Sequence, residues 1–319
     1  MIKSTVVIPN YNGIKYIEAC LESLYQGTTK DFEVIMVDNA SSDGSLELVK
    51  EKFPQVQIIE NSENTGFCKA VNQGISASKT PYVILLNNDT RVEFSFVHEL
   101  EKVMDESPNI FSASAKMISL HDKKKLDDAG DFYCALGWAF ARGKGKKPEL
   151  YQEPCEIFAS CGGAAIYRRI CFDEIGLFDE NHFAYLEDID IGYRAQLYGY
   201  RNYFSPKAIV YHAGSATSGS RYNAFKTKLS SKNSVYLVYK NMPLLQIVIN
   251  IPFLLVGFLI KTLFFVKKGL GKEYVTGLRN GFMLSVSAEG KKHKVPFSAK
   301  RLPSYIRIQC KLWRNLFRC

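Results

Sequence analysis

The sequence has no C-x-x-C pair. Its eight cysteines lie apart, the nearest two being Cys155 and Cys161, and that spacing excludes zinc-finger arrangements. Free thiols in a reducing compartment are expected. There is no internal period, which removes repeat arrays, and no GxGxxG in the first loop, which removes a standard dinucleotide site. Only a short apolar run precedes Pro9, too little for the core of a signal peptide, so a cytosolic body is expected. Eleven prolines against 22 glycines exclude collagen, and 46% hydrophobic residues exclude wholesale disorder. Acidic charge is scarce in one region only. Residues 240–319 carry 15 Lys and Arg against 2 acids, while residues 1–239 carry 26 against 30, so the formal charge of +9 belongs to the tail.

What is present is an alternation of strands and helices. Ser4 to Ile8 is a short β-branched run closed by Pro9, Asn10, Asn12 and Gly13, and Ile14, Ile17, Cys20, Leu21 and Leu24 follow at helical spacing. The pattern recurs with strands at 32–37, 56–60 and 82–86 and helices at 46–53 and 67–78. This tempo predicts an α/β fold with a mainly parallel sheet, whose ligands bind beyond the carboxyl ends of the strands. Lys- and Gly-rich loops then precede a small-residue strand over 161–167 containing Gly162 and Gly163. A helix opening at Glu187, Asp188 and Asp190 comes next, with a short last strand over 209–211 before His212. Helical spacing puts Glu187 and Asp190 on one face and turns Asp188 elsewhere.

Three groups carry candidate chemistry. Asn87, Asn88 and Asp89 end a buried strand; a carboxylate there suits a divalent cation bridging to a diphosphate, and the same residues also suit a plain turn. An acid from Glu187–Asp188 suits a general base on a hydroxyl, and equally a solvated first helical turn. His212 suits a third ligand to the same cation, although most lone histidines are not ligands.

Taken together and in order, PNYNG, VDNASSDGS, ENTGF, LLNNDT, GGAAIYRR, YLEDIDIGYR and YHAGSAT resemble the family 2 glycosyltransferases of the GT-A fold, especially a rhamnosyltransferase-like bacterial branch. The resemblance covers roughly residues 3–240. It implies a Rossmann-like, mainly parallel mixed sheet flanked by helices and a nucleotide site at Pro9, Tyr11, Asp38, Asn64, Gly66, Phe67 and Asn88, with Gly66 letting the backbone approach the ligand. It also implies Mn²⁺ or Mg²⁺ on Asp89 and His212, and catalysis by Asp188 with Glu187 beside it. Asn87 stands where the metal motif has its first Asp, which leaves Asp89 to carry the ion. The implied reaction is inverting transfer of a sugar, rhamnose from dTDP-rhamnose or else a UDP-sugar, to a lipid-linked glycan in surface polysaccharide synthesis. A nucleotidyltransferase would show a basic Gly-rich loop early in the chain, which PNYNG is not, and a non-catalytic membrane-bound glycan-binding protein has no need of Asp89, Asp188 and His212. The expected division is 1–115 for the nucleotide-sugar half, 116–239 for the acceptor half and 240–319 for a membrane-associated tail.

The tail supports that last part independently. Leu244 to Ile260 holds no formal charge over seventeen residues, close to a spanning length but interrupted by Gln246, Asn250 and Pro252. Basic residues from Lys291 to Arg318 are interleaved with apolar ones, and Ile308, Leu312, Trp313 and Leu316 approximate one helical face. An anionic membrane surface is the expected partner, at the cytoplasmic face of a bacterial inner membrane, as a peripheral or single-segment anchor. The acidic body offers no groove to nucleic acid.

Overall fold

A computed structural model describes residues 2–29, 31–214 and 222–318. The end of YHAGSAT, from Ser215, and Cys319 lie outside the described residues. The strands are β1 (Ser4–Asn10), β2 (Phe32–Asp38), β3 (Gln57–Glu60), β4 (Tyr82–Leu86), β5 (Thr90–Val92), β6 (Ile110–Ser119), β7 (Leu126–Asp128), β8 (Asp131–Tyr133), β9 (Ala139–Ala141), β10 (Cys155–Ile157), β11 (Ala164–Arg168) and β12 (Arg201–His212). The helices are α1 (Ile17–Gln26), α2 (Ser45–Lys52), α3 (Gly66–Ala77), α4 (Phe96–Asp105), α5 (Cys171–Ile175), α6 (Glu187–Leu197), α7 (Ala224–Asn241), α8 (Leu244–Lys267), α9 (Gly271–Val286), α10 (Ala288–Lys292) and α11 (Leu302–Arg314).

Ten strands form one sheet whose main path runs β10-β12-β6-β11-β4-β1-β2-β3. β1 pairs in parallel with β2 and β4, β2 with β3, and β6 with β12, whereas β11 runs antiparallel between β4 and β6. The two sides of β1 and β2 feed different cores, as strand alternation requires. Val6, Ile8, Val34 and Met36 pack with residues of α1, α2 and α4, while Val7, Ile35 and Val37 pack with residues of α3, α5 and α6. Both faces of the sheet are therefore dry, and the apolar run of β4 is buried throughout. The predicted face of α1 is the observed one, with Ile17, Cys20, Leu21 and Leu24 buried.

Three local expectations need correction. The short strand at 209–211 is the end of β12, which runs twelve residues. Its register against β6 shifts between Ser205 and Ile209, so the polar, Pro-containing stretch that looked like a break is a bulge. Gly162 and Gly163 form the turn before β11 and are not part of it. Most of the α11 face assigned to a membrane packs on the protein instead: Ile308 and Leu312, with Leu316 at the edge, join Ile189, Tyr193 and Leu197 of α6 in a third core, and only Trp313 is exposed. Helical spacing marks a face as apolar without saying whether lipid or protein covers it. Residue 115 lies within β6 and residue 239 within α7, so both expected boundaries cut continuous elements.

Candidate active site

The parallel strands deliver their carboxyl ends to one edge of the sheet, and β11, being antiparallel, begins there. Asn87 N–H donates to Gly163 O at 2.9 Å, and Ala213 N–H donates to Asp89 O at 3.0 Å, which joins the loops after β4 and β12 to the start of β11. Between them lies a cavity of about 970 Å³. Pro9, Tyr11, Asn64, Gly66, Phe67, Asn88, Asp89, Glu187, Asp188 and His212 all line it. Thus ten of the eleven residues expected from the resemblance line one cavity.

Asp38 is the exception. It is buried behind the wall, where Oδ1 accepts from Asn10 Nδ2 and Ser41 Oγ and Oδ2 accepts from the Ser41 N–H. Asn39, its neighbour, is the lining residue. Asn10 also accepts from Asn88 Nδ2 at 2.7 Å, so Asp38 fixes Asn88 through one intervening side chain. Gly66 lines the cavity, and its φ of +83° favours glycine; a Cβ there would sit 2.6 Å from the Phe183 ring, so its small size also admits Phe183.

His212 stands between two carboxylates. Nδ1 lies 2.7 Å from Asp127 Oδ2, and Nε2 lies 3.3 Å from Asp89 Oδ1. Burial works against the charged ring, but hydrogen bonds and charge from Asp127 and Asp89 outweigh it and push the imidazole up to about 9. Burial likewise opposes the Asp127 charge, yet His212 and Lys144 hold that carboxyl at about 2. Asp127 thus orients the imidazole through Nδ1 and leaves Nε2 facing Asp89. Asp127 gave no signal in sequence, because its partner His212 lies 85 positions further along the chain.

Glu187 and Asp188 open α6 after an unusual approach. Phe183, Tyr185 and Leu186 all have φ between 64° and 69°, a backbone state that side chains other than glycine rarely adopt. Asn233 of α7 holds this segment, its Nδ2 donating to the carbonyls of His182, Ala184 and Tyr185 at 3.0, 2.9 and 2.7 Å. The approach brings both Glu187 and Asp188 into the cavity, while Asp190 turns into the core. There Asp190 meets Arg194 Nη2 and Lys240 Nζ, each at 2.8 Å. The face shared by Glu187 and Asp190 on helical spacing therefore does not group them: it is Glu187 and Asp188 that line the cavity. Glu187 Oε2 and Asp188 Oδ1 are buried without hydrogen-bond partners. Burial and the Glu187 charge push Asp188 well above the usual carboxylate range against one backbone hydrogen bond from Gly162, and burial holds Glu187 at about 7.

Behind Asp188, the donor atoms of Asp128, Asp131 and Cys161 lie within 4.8 Å of one another. Burial, then the Asp188 charge, raises Asp131 to about 7, and burial lifts Asp128 and Cys161 well above their ordinary values.

The cavity at the carboxyl edge of the sheet thus gathers an Asp–His pair and two buried acids. The family model for glycosyl transferase family 2 matches residues 5–176, more than half of the chain. The chain belongs to that family and is a glycosyltransferase. It is 25% identical over 239 residues to the N-acetylglucosaminyl-diphospho-decaprenol L-rhamnosyltransferase of Mycobacterium tuberculosis, covering 67% of this chain and 77% of that one. Among solved structures it is similar to GalNAc-T7 with UDP, GalNAc and Mn²⁺, at a TM-score of 0.61 and 19% identity over 75% of this chain and 48% of that one. It is also similar to a mannosyltransferase from Pyrobaculum calidifontis in complex with GDP-Man and Mn²⁺, at a TM-score of 0.56 and 15% identity over 97% and 86%. The fold is GT-A.

Proposed function

We propose that the chain is an inverting, cation-dependent glycosyltransferase that moves a sugar from a nucleoside diphosphate to a hydroxyl of a lipid-linked glycan in cell-surface polysaccharide synthesis. The observation that carries this reading is that the Asp89–His212 pair and the Glu187–Asp188 pair line the same cavity. Mn²⁺ or Mg²⁺ held by Asp89 and His212 would supply positive charge to the departing diphosphate. Pro9, Tyr11, Asn64 and Phe67 border the nucleotide, and Asp38 holds Asn10 and through it Asn88. Asp188 removes the acceptor hydroxyl proton as that oxygen bonds to the anomeric carbon from the face opposite the diphosphate; the carbon–oxygen bond to the diphosphate breaks and the nucleoside diphosphate leaves. No covalent sugar intermediate arises, so the anomeric configuration inverts. Glu187 shares the burden of charge with Asp188, and Asn233 is the positioning residue for both. Rhamnose on dTDP is the favoured donor, from the motifs and the mycobacterial relative, and a UDP-sugar is next. Residues 1–115 serve the donor, 116–239 the acceptor and 240–319 the membrane.

The membrane part of this reading is supported by α8, which is long and apolar enough to cross a bilayer yet does not stand alone. One stripe, Gln246, Asn250, Leu254 and Gly257, is buried against the catalytic body. Tyr193 Oη donates to Gln246 at 2.6 Å, Asn250 Nδ2 donates to Gln309 at 2.8 Å, and Trp138 Nε1 donates to the Gly257 carbonyl at 3.1 Å. The remaining sides, including Leu245, Leu255, Leu259 and Leu263, are exposed. Upright insertion would drag α6 and α11 into hydrocarbon, whereas a helix lying in the interface buries the exposed side and keeps the packed one. Near its far end Phe264 and Phe265 meet Tyr222, and Phe225, which lines the cavity, packs edge-on against Phe183. A thermal-shift panel of nucleotide-sugars tests the donor assignment, because a ligand that binds only the folded state raises its melting temperature. The expected result is a rise with a dTDP- or UDP-sugar that requires Mn²⁺ or Mg²⁺ and disappears in Asp89→Ala; no shift with any nucleotide-sugar would contradict it.

A further inference from the structure

A second cavity, of about 1010 Å³, opens between α11 and the β8–β9 hairpin, away from the proposed donor site. Arg142, Lys144 and Lys146 enter it from the segment after β9, and Arg307, Lys311, Arg314 and Arg318 enter it from α11 and the turn beyond. Glu156 is the one acidic residue on its wall. Among the described residues, only Lys144, with Asp127, and Lys311, with Glu156, have an ion-pair partner. Five cations therefore face the same space with no opposing carboxylate, an arrangement whose mutual repulsion costs folding free energy unless an anion enters.

The cations are held in place rather than dispersed. The opposite side of α11 is anchored by Tyr305, Ile308 and Leu312, which fixes the direction in which its basic side points. The Arg142 guanidinium lies 4.7 Å from the Tyr151 ring centroid, and that of Arg318 lies 4.8 Å from the Phe132 centroid. Arg307 Nη2 donates to the Gln196 carbonyl at 3.1 Å, but its Nε is buried without a hydrogen-bond partner. Burial, followed by the charges of Arg314 and Arg142, lowers Arg318, and burial with Arg307 and Arg314 lowers Lys311 despite Glu156.

We propose that this cavity is a binding site for phosphate groups, distinct from the nucleotide-sugar cavity. Planar guanidinium forks match pairs of phosphate oxygens, and several of them converging on one open cavity favour a ligand with several negative charges over a single carboxylate. Two sources share that chemistry, the headgroups of an anionic membrane and a soluble phosphate ester. The site touches the proposed active site through one link: Lys144 pairs with Asp127, which orients His212.

The test titrates tripolyphosphate into the full chain by calorimetry, in EDTA so that no cation recruits phosphate to Asp89. Arg314→Glu with Arg318→Glu reverses two exposed charges on the wall, and Lys79→Glu with Lys102→Glu makes the same change in net charge on exposed residues elsewhere. The proposal expects wild-type binding to one site, a loss of at least about tenfold in the first double variant and less than about twofold in the second. Melting temperatures report that both variants fold. Equal affinity in wild type and Arg314→Glu/Arg318→Glu, or an equal loss in both double variants, would overturn the proposal. Flotation with phosphatidylglycerol or phosphatidylcholine vesicles then identifies the source: loss of phosphatidylglycerol binding in the first variant assigns lipid headgroups, and retained vesicle binding with lost tripolyphosphate binding assigns a soluble ester.

Discussion

At the scale of single residues, the site depends on groups kept in states they would not adopt in water. Asp188 is the clearest case. Its folded carboxyl binds a proton more tightly than the unfolded one, chiefly through burial and then through Glu187, so its contribution to stability falls as pH rises from the ordinary carboxylate range through the raised value. Asp188→Asn removes that cost, and its melting temperature at pH 8 is expected to exceed that of wild type by about 2 °C or more, the change made by about 1 kcal/mol in a chain of this size. The gain should vanish at pH 4, where both forms are neutral; a lower melting temperature at pH 8 would show that the wild-type carboxylate is not strained. Glu187, Asp188, Asp89 and His212 were legible in sequence because each ends a strand or opens a helix in a fixed order of motifs. Asp127 and Asn233 were not. Each acts on a residue far away in the chain, His212 and the carbonyls before Glu187, and no local pattern encodes such a contact.

Elements were read well where a single period governs them. β1 to β4 and α1 to α3 alternate at short intervals, and their burial patterns follow directly. The antiparallel β11 was not legible, since orientation depends on pairing with β4 and β6 and not on the strand's own residues. The two tail helices show the same limit from opposite sides. α11 looked like a membrane face and packs on α6, whereas α8 looked ambiguous and exposes most of its length. Removing the whole tail is consequently a poor test, because it would also strip Ile308 and Leu312 from the catalytic core. Leu255→Glu, Leu259→Glu and Leu263→Glu together leave the packed stripe of α8 intact. This variant is expected to retain its melting temperature and to lose most of its partition onto phosphatidylglycerol vesicles in a flotation assay. Unchanged partition would remove α8 from the membrane reading.

On the scale of the whole molecule, the fold sets two sources of chemistry against each other across one cavity. The sheet supplies Asp89 from the loop after β4 and His212 from the end of β12, and the strained approach to α6 supplies Glu187 and Asp188. α7 connects the two to the tail: Asn233 supports the approach, and Lys240 closes a buried network with Asp179 and Asp190 at 2.7 and 2.8 Å. Burial alone would raise the Asp179 carboxyl, and Lys240 instead holds it at about 2. Breaking that network would leave uncompensated charges beneath α6. The catalytic body and the helices that follow it are in this sense one mechanical unit, although composition divides them sharply at residue 240. The most direct measurement pairs donor affinity, by calorimetry with cation and nucleotide-sugar, with acceptor-dependent turnover in Asp188→Asn. The account predicts donor affinity within about twofold of wild type and turnover reduced by at least about 100-fold, the size of a lost general base. Near-wild-type turnover, or loss of donor affinity in step with turnover, would contradict it.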